Sequence, residues 1–72
     1  GGSNEATHES LSNRELQVLK LIAQGRTLKE IGVDLALSEK TIATYRARIP
    51  EKMGLPGIVD LTRYAMRHGL VD

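Results

Sequence analysis

Residues 38–52 carry four cations (Lys40, Arg46, Arg48 and Lys52) against two carboxylates (Glu39 and Glu51), interleaved with the hydroxyls of Thr41, Thr44 and Tyr45. Such a set can hold an anion through charge-assisted hydrogen bonds but has no means of breaking a bond. No nucleophile stands beside a base, no glycine-rich loop could cradle a phosphate, and there is no cysteine; the two histidines, His8 and His68, lie near opposite ends. The expected role is therefore binding, with no catalysis, cofactor or metal. His68, beside Gly69, reads as a cation at a helix end.

The formal net charge is only +1, so its distribution matters more than its sum. Residues 1–37 hold four cations (Arg14, Lys20, Arg26, Lys29) against five carboxylates (Glu5, Glu9, Glu15, Glu30, Asp34), leaving the excess of positive charge after residue 38. On charge alone a solvated helix face is a better reading than an anion site. The elements that position these residues have to decide.

Local signals describe an all-α chain of four helices. Ser12-Asn13-Arg14-Glu15 forms a capping box, in which the Ser12 hydroxyl and the Glu15 carboxylate each satisfy a free backbone donor, and Leu11 with Leu16 can staple the start. Leu16, Leu19, Ile22 and Ala23 follow at helical spacing with Val18 at the stripe's edge, and Gly25 ends the helix, giving residues 13–24. A second box, Thr27-Leu28-Lys29-Glu30, opens a short helix over 28–36, with Leu28, Ile31, Leu35 and Ala36 on its apolar face. Gly32 inside it costs about 0.5 to 1 kcal/mol relative to alanine, which makes sense where another backbone approaches closely. Ser38 can cap Lys40 or Thr41, starting a third helix that turns Ile42, Tyr45, Ile49 and Met53 to one face and Lys40, Ala43, Thr44, Ala47 and Arg48 to the other. A fourth helix is expected over 58–68, with Ile58, Leu61, Ala65 and Met66 inward and Gly69-Leu70 closing it. Residues 1–10 read as a polar, disordered tail whose Gly1-Gly2-Ser3 has the composition of a cloning scar, ahead of one domain over 11–72. No apolar run reaches the roughly 20 residues a bilayer requires, and nothing resembles a signal peptide, so a cytoplasmic location is expected.

Two short helices joined by a tight turn can lay the second helix in the major groove of DNA while the first crosses the backbone. The entering helix needs short side chains near its start and cations and hydroxyls around them. Ala43, Thr44 and Ala47 meet the first need, and Lys40, Thr41, Tyr45, Arg46 and Arg48 the second. Ala43 and Ala47 also read as plain helix formers, Thr41 as an extension of the cap, and Tyr45 as a core aromatic.

The series Leu11-Ser12-Asn13-Arg14-Glu15, Val18-Leu19, Ile22-Ala23-Gln24-Gly25, Lys29-Glu30-Ile31, Leu37-Ser38-Glu39-Lys40-Thr41-Ile42 and Lys52-Met53-Gly54 resembles the LuxR/NarL/FixJ family of helix-turn-helix domains. Thr44-Tyr45-Arg46, Asp60-Leu61-Thr62 and His68-Gly69-Leu70 look most like the branch fused to phosphorylated receiver domains, the response regulators of GacA/UvrY/BvgA type. The resemblance implies a bacterial transcription regulator's effector domain on double-stranded DNA, with the third helix in the major groove. By motif position, Ala43, Thr44 and Ala47 fall at base-reading places and Lys40, Thr41, Tyr45 and Arg48 at phosphate-side places. Some relatives carry lysine at the two alanine positions, so thymine methyl groups and DNA shape should supply part of the specificity. The fourth helix would form a homodimer through Val59, Thr62, Arg63, Met66 and Arg67, and RNA polymerase is the further partner the resemblance suggests.

Pro50 departs from that pattern, standing where the family usually has a large apolar residue. In a helix interior proline removes a hydrogen bond and clashes with the preceding turn, at about 3 kcal/mol or more. A domain of this size is stable by only about 3 to 9 kcal/mol. The expectation is a kink or an early stop near Arg48 and Ile49, ending the third helix at 49 and leaving 51–53 as a separate turn. It also opens an alternative function, a helical protein-interaction or dimerisation module with weakened DNA binding.

Overall fold

The structure, a computed structural model, describes residues 8–71. The proposed scar and most of the polar tail lie outside the described residues. A short 3-10 turn, His8–Ser10, precedes four helices: α1 Asn13–Ala23, α2 Leu28–Leu35, α3 Glu39–Lys52 and α4 Ile58–Arg67. Among the described residues there is no strand. The 3-10 turn corrects the expectation of disorder up to residue 10, and its cause is tertiary: the backbone N–H of His8 donates to the Tyr64 hydroxyl at 3.1 Å.

Each of the first three helices starts on a side chain of its own segment. The Ser12 hydroxyl accepts from the Glu15 amide while Glu15 accepts from the Ser12 amide, and Thr27 with Glu30 repeats the arrangement. Ser38 accepts from Thr41, not Lys40. α4 starts on Gly57 without a side-chain cap.

The core joins all four helices: Val18, Leu19 and Ile22 of α1, Ile31 of α2, Ile42 and Ile49 of α3, Met53 at its cap, and Leu61 and Ala65 of α4. α1 packs against both α3 and α4, which is why Val18, expected at the edge of its stripe, is fully buried. Two other residues lie further out than their spacing suggested. Met66 is 57% exposed, because Leu61 and Ala65 hold the core side of α4 and the following residue turns away by one helical step. Ala36 is exposed because it does not continue α2; it is the left-handed residue that ends it, with φ of 57°.

α3 is unbroken through Pro50, contrary to the expected stop at residue 49. Pro50 lies in the final turn, so only the carbonyl of Arg46 loses a helical donor, and Arg46 is an exposed residue within reach of water. Downstream, the Pro50 carbonyl accepts from the Leu55 amide at 2.8 Å and the Glu51 carbonyl from Gly54 at 3.1 Å. With Gly54 at φ of 71°, this is a Schellman closure that secures the turn containing the proline. Pro50 is itself buried.

Candidate nucleic-acid interface

Residues 36–38 alone separate α2 from α3, and the closeness of that turn depends on Gly32. A Cβ at Gly32 would lie 2.6 Å from the Leu37 carbonyl oxygen, inside van der Waals contact with backbone. The Leu37 amide in turn donates to the Gly32 carbonyl at 2.8 Å. The missing side chain lets the connection fold back on α2, which sets the direction in which α3 leaves it.

Lys40, Ala43, Thr44, Arg46, Ala47 and Arg48 are exposed on α3, whereas Thr41 and Tyr45 are half-buried, with Tyr45 packed against the core. The outward residues divide between two flanks. On one, Thr41, Thr44, Tyr45 and Arg48 line an open hollow of about 290 Å³ with Glu15 of α1. On the other, Ala43, Arg46 and Ala47 line a hollow of about 330 Å³ with Pro50 and the Pro56-Gly57-Ile58 connection. Arg46 also borders a larger hollow, about 460 Å³, with Arg26, Thr27 and Thr62. The two arginines thus reach opposite sides of the strip formed by the short side chains.

The hydroxyls are less free than the sequence implied. Thr44 donates to the Lys40 carbonyl at 3.1 Å, and Thr41 Oγ1 lies 2.9 Å from the Ser38 hydroxyl. Toward solvent Thr44 therefore offers its methyl group and oxygen lone pairs, not its proton. The cations remain available: among the described residues the ion pairs are Arg26 with Asp34, at 3.6 Å, and Lys52 with Glu15, at 2.8 Å, so neither takes up Lys40, Arg46 or Arg48.

Beyond its place in the capping box, Glu15 borders the hollow beside Arg48 and holds Lys52. The Lys52 ammonium and then the Ser12 amide hold its carboxyl below the ordinary carboxylate range. Glu30 is lowered in the same direction by the Thr27 amide, then the Thr27 hydroxyl. Neither role of Glu15 toward α3 leaves a signal in local spacing, since Lys52 is 37 residues away.

On α4, Val59 and Met66 are 67% and 57% exposed, with Arg63 and Arg67 exposed beside them and Thr62 half-buried. No helix among the described residues is long and apolar enough to cross a membrane.

Residues 9–65 match the family described as bacterial regulatory proteins, luxR family. The chain is 46% identical over 68 residues to the response regulator UvrY of Escherichia coli K12, covering 94% of this chain and 31% of that protein. It is 42% identical over 69 residues to the response regulator GacA of Pseudomonas aeruginosa, covering 96% of this chain and 32% of GacA. Against the transcriptional regulatory protein LiaR of Bacillus subtilis the identity is 42% over 71 residues, 99% of this chain and 34% of LiaR. The chain spans 31–34% of the length of these relatives.

Proposed function

Because the chain belongs to the luxR family of bacterial regulatory proteins, a helix-turn-helix DNA-binding domain of transcription regulators, we propose that it is the effector domain of a cytoplasmic two-component response regulator. In this reading α3 enters the major groove of double-stranded DNA. Ala43, Thr44 and Ala47 meet base edges, while Lys40, Thr41, Tyr45, Arg46 and Arg48 hold phosphates. The observation that carries it is the arrangement of α3: short outward side chains flanked on opposite sides by Arg46 and Arg48, both exposed and neither in an ion pair among the described residues. A helix flanked in this way can neutralise both phosphate backbones that border a groove.

Pairing of two copies through Val59, Thr62, Arg63, Met66 and Arg67 of α4 is supported by the exposed apolar side chains of Val59 and Met66. RNA polymerase is a further partner on this reading, and no cofactor or reaction enters it.

The test is DNA binding followed across salt concentration, joined to selection of bound sequences from random duplexes. Each phosphate contact should add roughly 0.9 to the slope of log affinity against log salt. Arg48→Ala should lower that slope by about one contact, and Thr44→Ala should alter the selected sequence while leaving the slope intact. A complex that is absent or insensitive to salt would instead support a protein-interaction or dimerisation module. That alternative drew on a broken α3, and the helix is continuous.

A further inference from the structure

The two histidines that the sequence separates by nearly the whole chain meet around one tyrosine. His8 of the 3-10 turn touches Tyr64 twice: its backbone N–H donates to the hydroxyl at 3.1 Å, and its Nδ1 lies 2.8 Å from the same oxygen. The His8 and Tyr64 rings meet edge to face with centroids 5.7 Å apart. His68, which caps the end of α4 four residues on, stacks on Tyr64 at 4.0 Å and 25°, and the two imidazole centroids are 5.8 Å apart. The DNA-facing helix takes no part in this cluster, and the proposed function does not use it.

We propose that His8, Tyr64 and His68 form a proton-operated latch: with both imidazoles neutral it holds the segment before α1 against α4, and on their protonation it lets that segment go. In the closed form the Tyr64 hydroxyl accepts from the His8 amide and donates its proton to the lone pair on Nδ1, so one phenol satisfies two groups of the turn. A proton arriving at Nδ1 reverses that bond, so that Nδ1–H donates to the phenol oxygen beside the His8 amide and the phenol proton turns to solvent; the bond survives, and what opposes the closed form is charge. At the same time two imidazolium charges come to face each other.

The charges that line the adjacent hollow on α4 do not offset the added charge. Asp60, Arg63 and Arg67 of α4 line the hollow beside Tyr64 and His68, two guanidiniums to one carboxylate, and the α3–α4 connection contributes only the apolar Leu55. A charged His68 still gains from stacking on the Tyr64 face of its own helix. The repulsion is therefore relieved by the partner on the short turn, and His8 is the group that leaves.

Nuclear Overhauser contacts between the His8 and Tyr64 rings, measured at about pH 8 and about pH 5.5 with far-UV circular dichroism to follow the helices, test the proposal. The expected result is contacts at the higher pH, their loss at the lower, and an unchanged helix signal. His8→Gln keeps an acceptor that cannot become charged, so residue 8 should stay on Tyr64 at both pH values. Tyr64→Phe should free the turn at both. Equal ring contacts at the two pH values in the parent chain would overturn the latch. So would loss of the residue 8 contact on acidification in the His8→Gln variant, or a turn still seated at about pH 8 in Tyr64→Phe.

Discussion

Lys52 Nζ lies 2.8 Å from Glu15 Oε1, which ties the last turn of α3 to the capping box that starts α1. The same carboxylate oxygen accepts from the Ser12 amide at 2.9 Å, so one atom serves a helix start and a helix end at once. The Glu15 side chain is only 12% exposed, whereas Lys52 remains half open to solvent.

This pairing gives the fold a pH dependence with a definite sign. Because Glu15 is held below its ordinary value in the folded chain, its contribution is complete above the ordinary carboxylate range and is lost as pH falls toward the lowered value. Glu15→Gln keeps part of the cap but not the charge, and should lower stability by about 0.5 to 1 kcal/mol near neutral pH. Denaturant titrations at neutral pH and in acid should show the parent and the variant converging as the carboxylate is protonated.

Gly32→Ala places a methyl group 2.6 Å from the Leu37 carbonyl oxygen. Backbone cannot yield as a flexible side chain would, so the gain of about 0.5 to 1 kcal/mol in helix propensity should be outweighed. The variant should melt lower than the parent. If the α2–α3 turn sets the docking angle, DNA affinity measured below the melting range should fall as well, without a change in salt slope.

Ala36 adopts the left-handed conformation that costs an L-residue about 1 to 2 kcal/mol and glycine little. Its side chain is exposed, so no packing is lost on removing it. Ala36→Gly should stabilise the domain by up to about 1 kcal/mol after the extra freedom of the unfolded glycine is counted. An upward shift in the denaturation midpoint with unchanged cooperativity is the expected signature.

Pro50→Leu restores the donor missing from the Arg46 carbonyl. The position is in the final turn of α3, so the gain should be nearer 1 kcal/mol than the 3 kcal/mol of an interior proline. A higher melting temperature with similar DNA affinity is expected; no gain would mean that the buried proline ring packs too well to be improved upon.

The helix starts were legible because a capping box is local: Ser12 with Glu15 and Thr27 with Glu30 are three residues apart, and nothing distant is needed to form them. The cost of Pro50 depends on its distance from the helix end, which its own position in the sequence does not reveal, and Gly54 sets that end two residues beyond it. Alanine at residue 36 carries no signal for a left-handed turn, and Val18 is buried only because α1 has neighbours on two sides. His8 looked like tail because its partner is 56 residues away. In the candidate interface the outward strip of α3 could be read from its period, but the use of the Thr44 proton by the Lys40 carbonyl could not, since threonine in a helix leaves that choice to local geometry.

The ends of these helices have a bearing on how quickly the chain reaches its fold. The first three start on a neighbour within their own segment, and α3 and α4 close on amides two or three residues beyond their ends. Little loop entropy is spent before these bonds form, which is the condition for fast, two-state folding. Among the described residues, the hydrogen bonds between distant segments include Lys52 to Glu15 and His8 to Tyr64, and both lie at the periphery. They can open and close while the helices stay in place, so the start of α1 and the turn before it should exchange their amide hydrogens earliest.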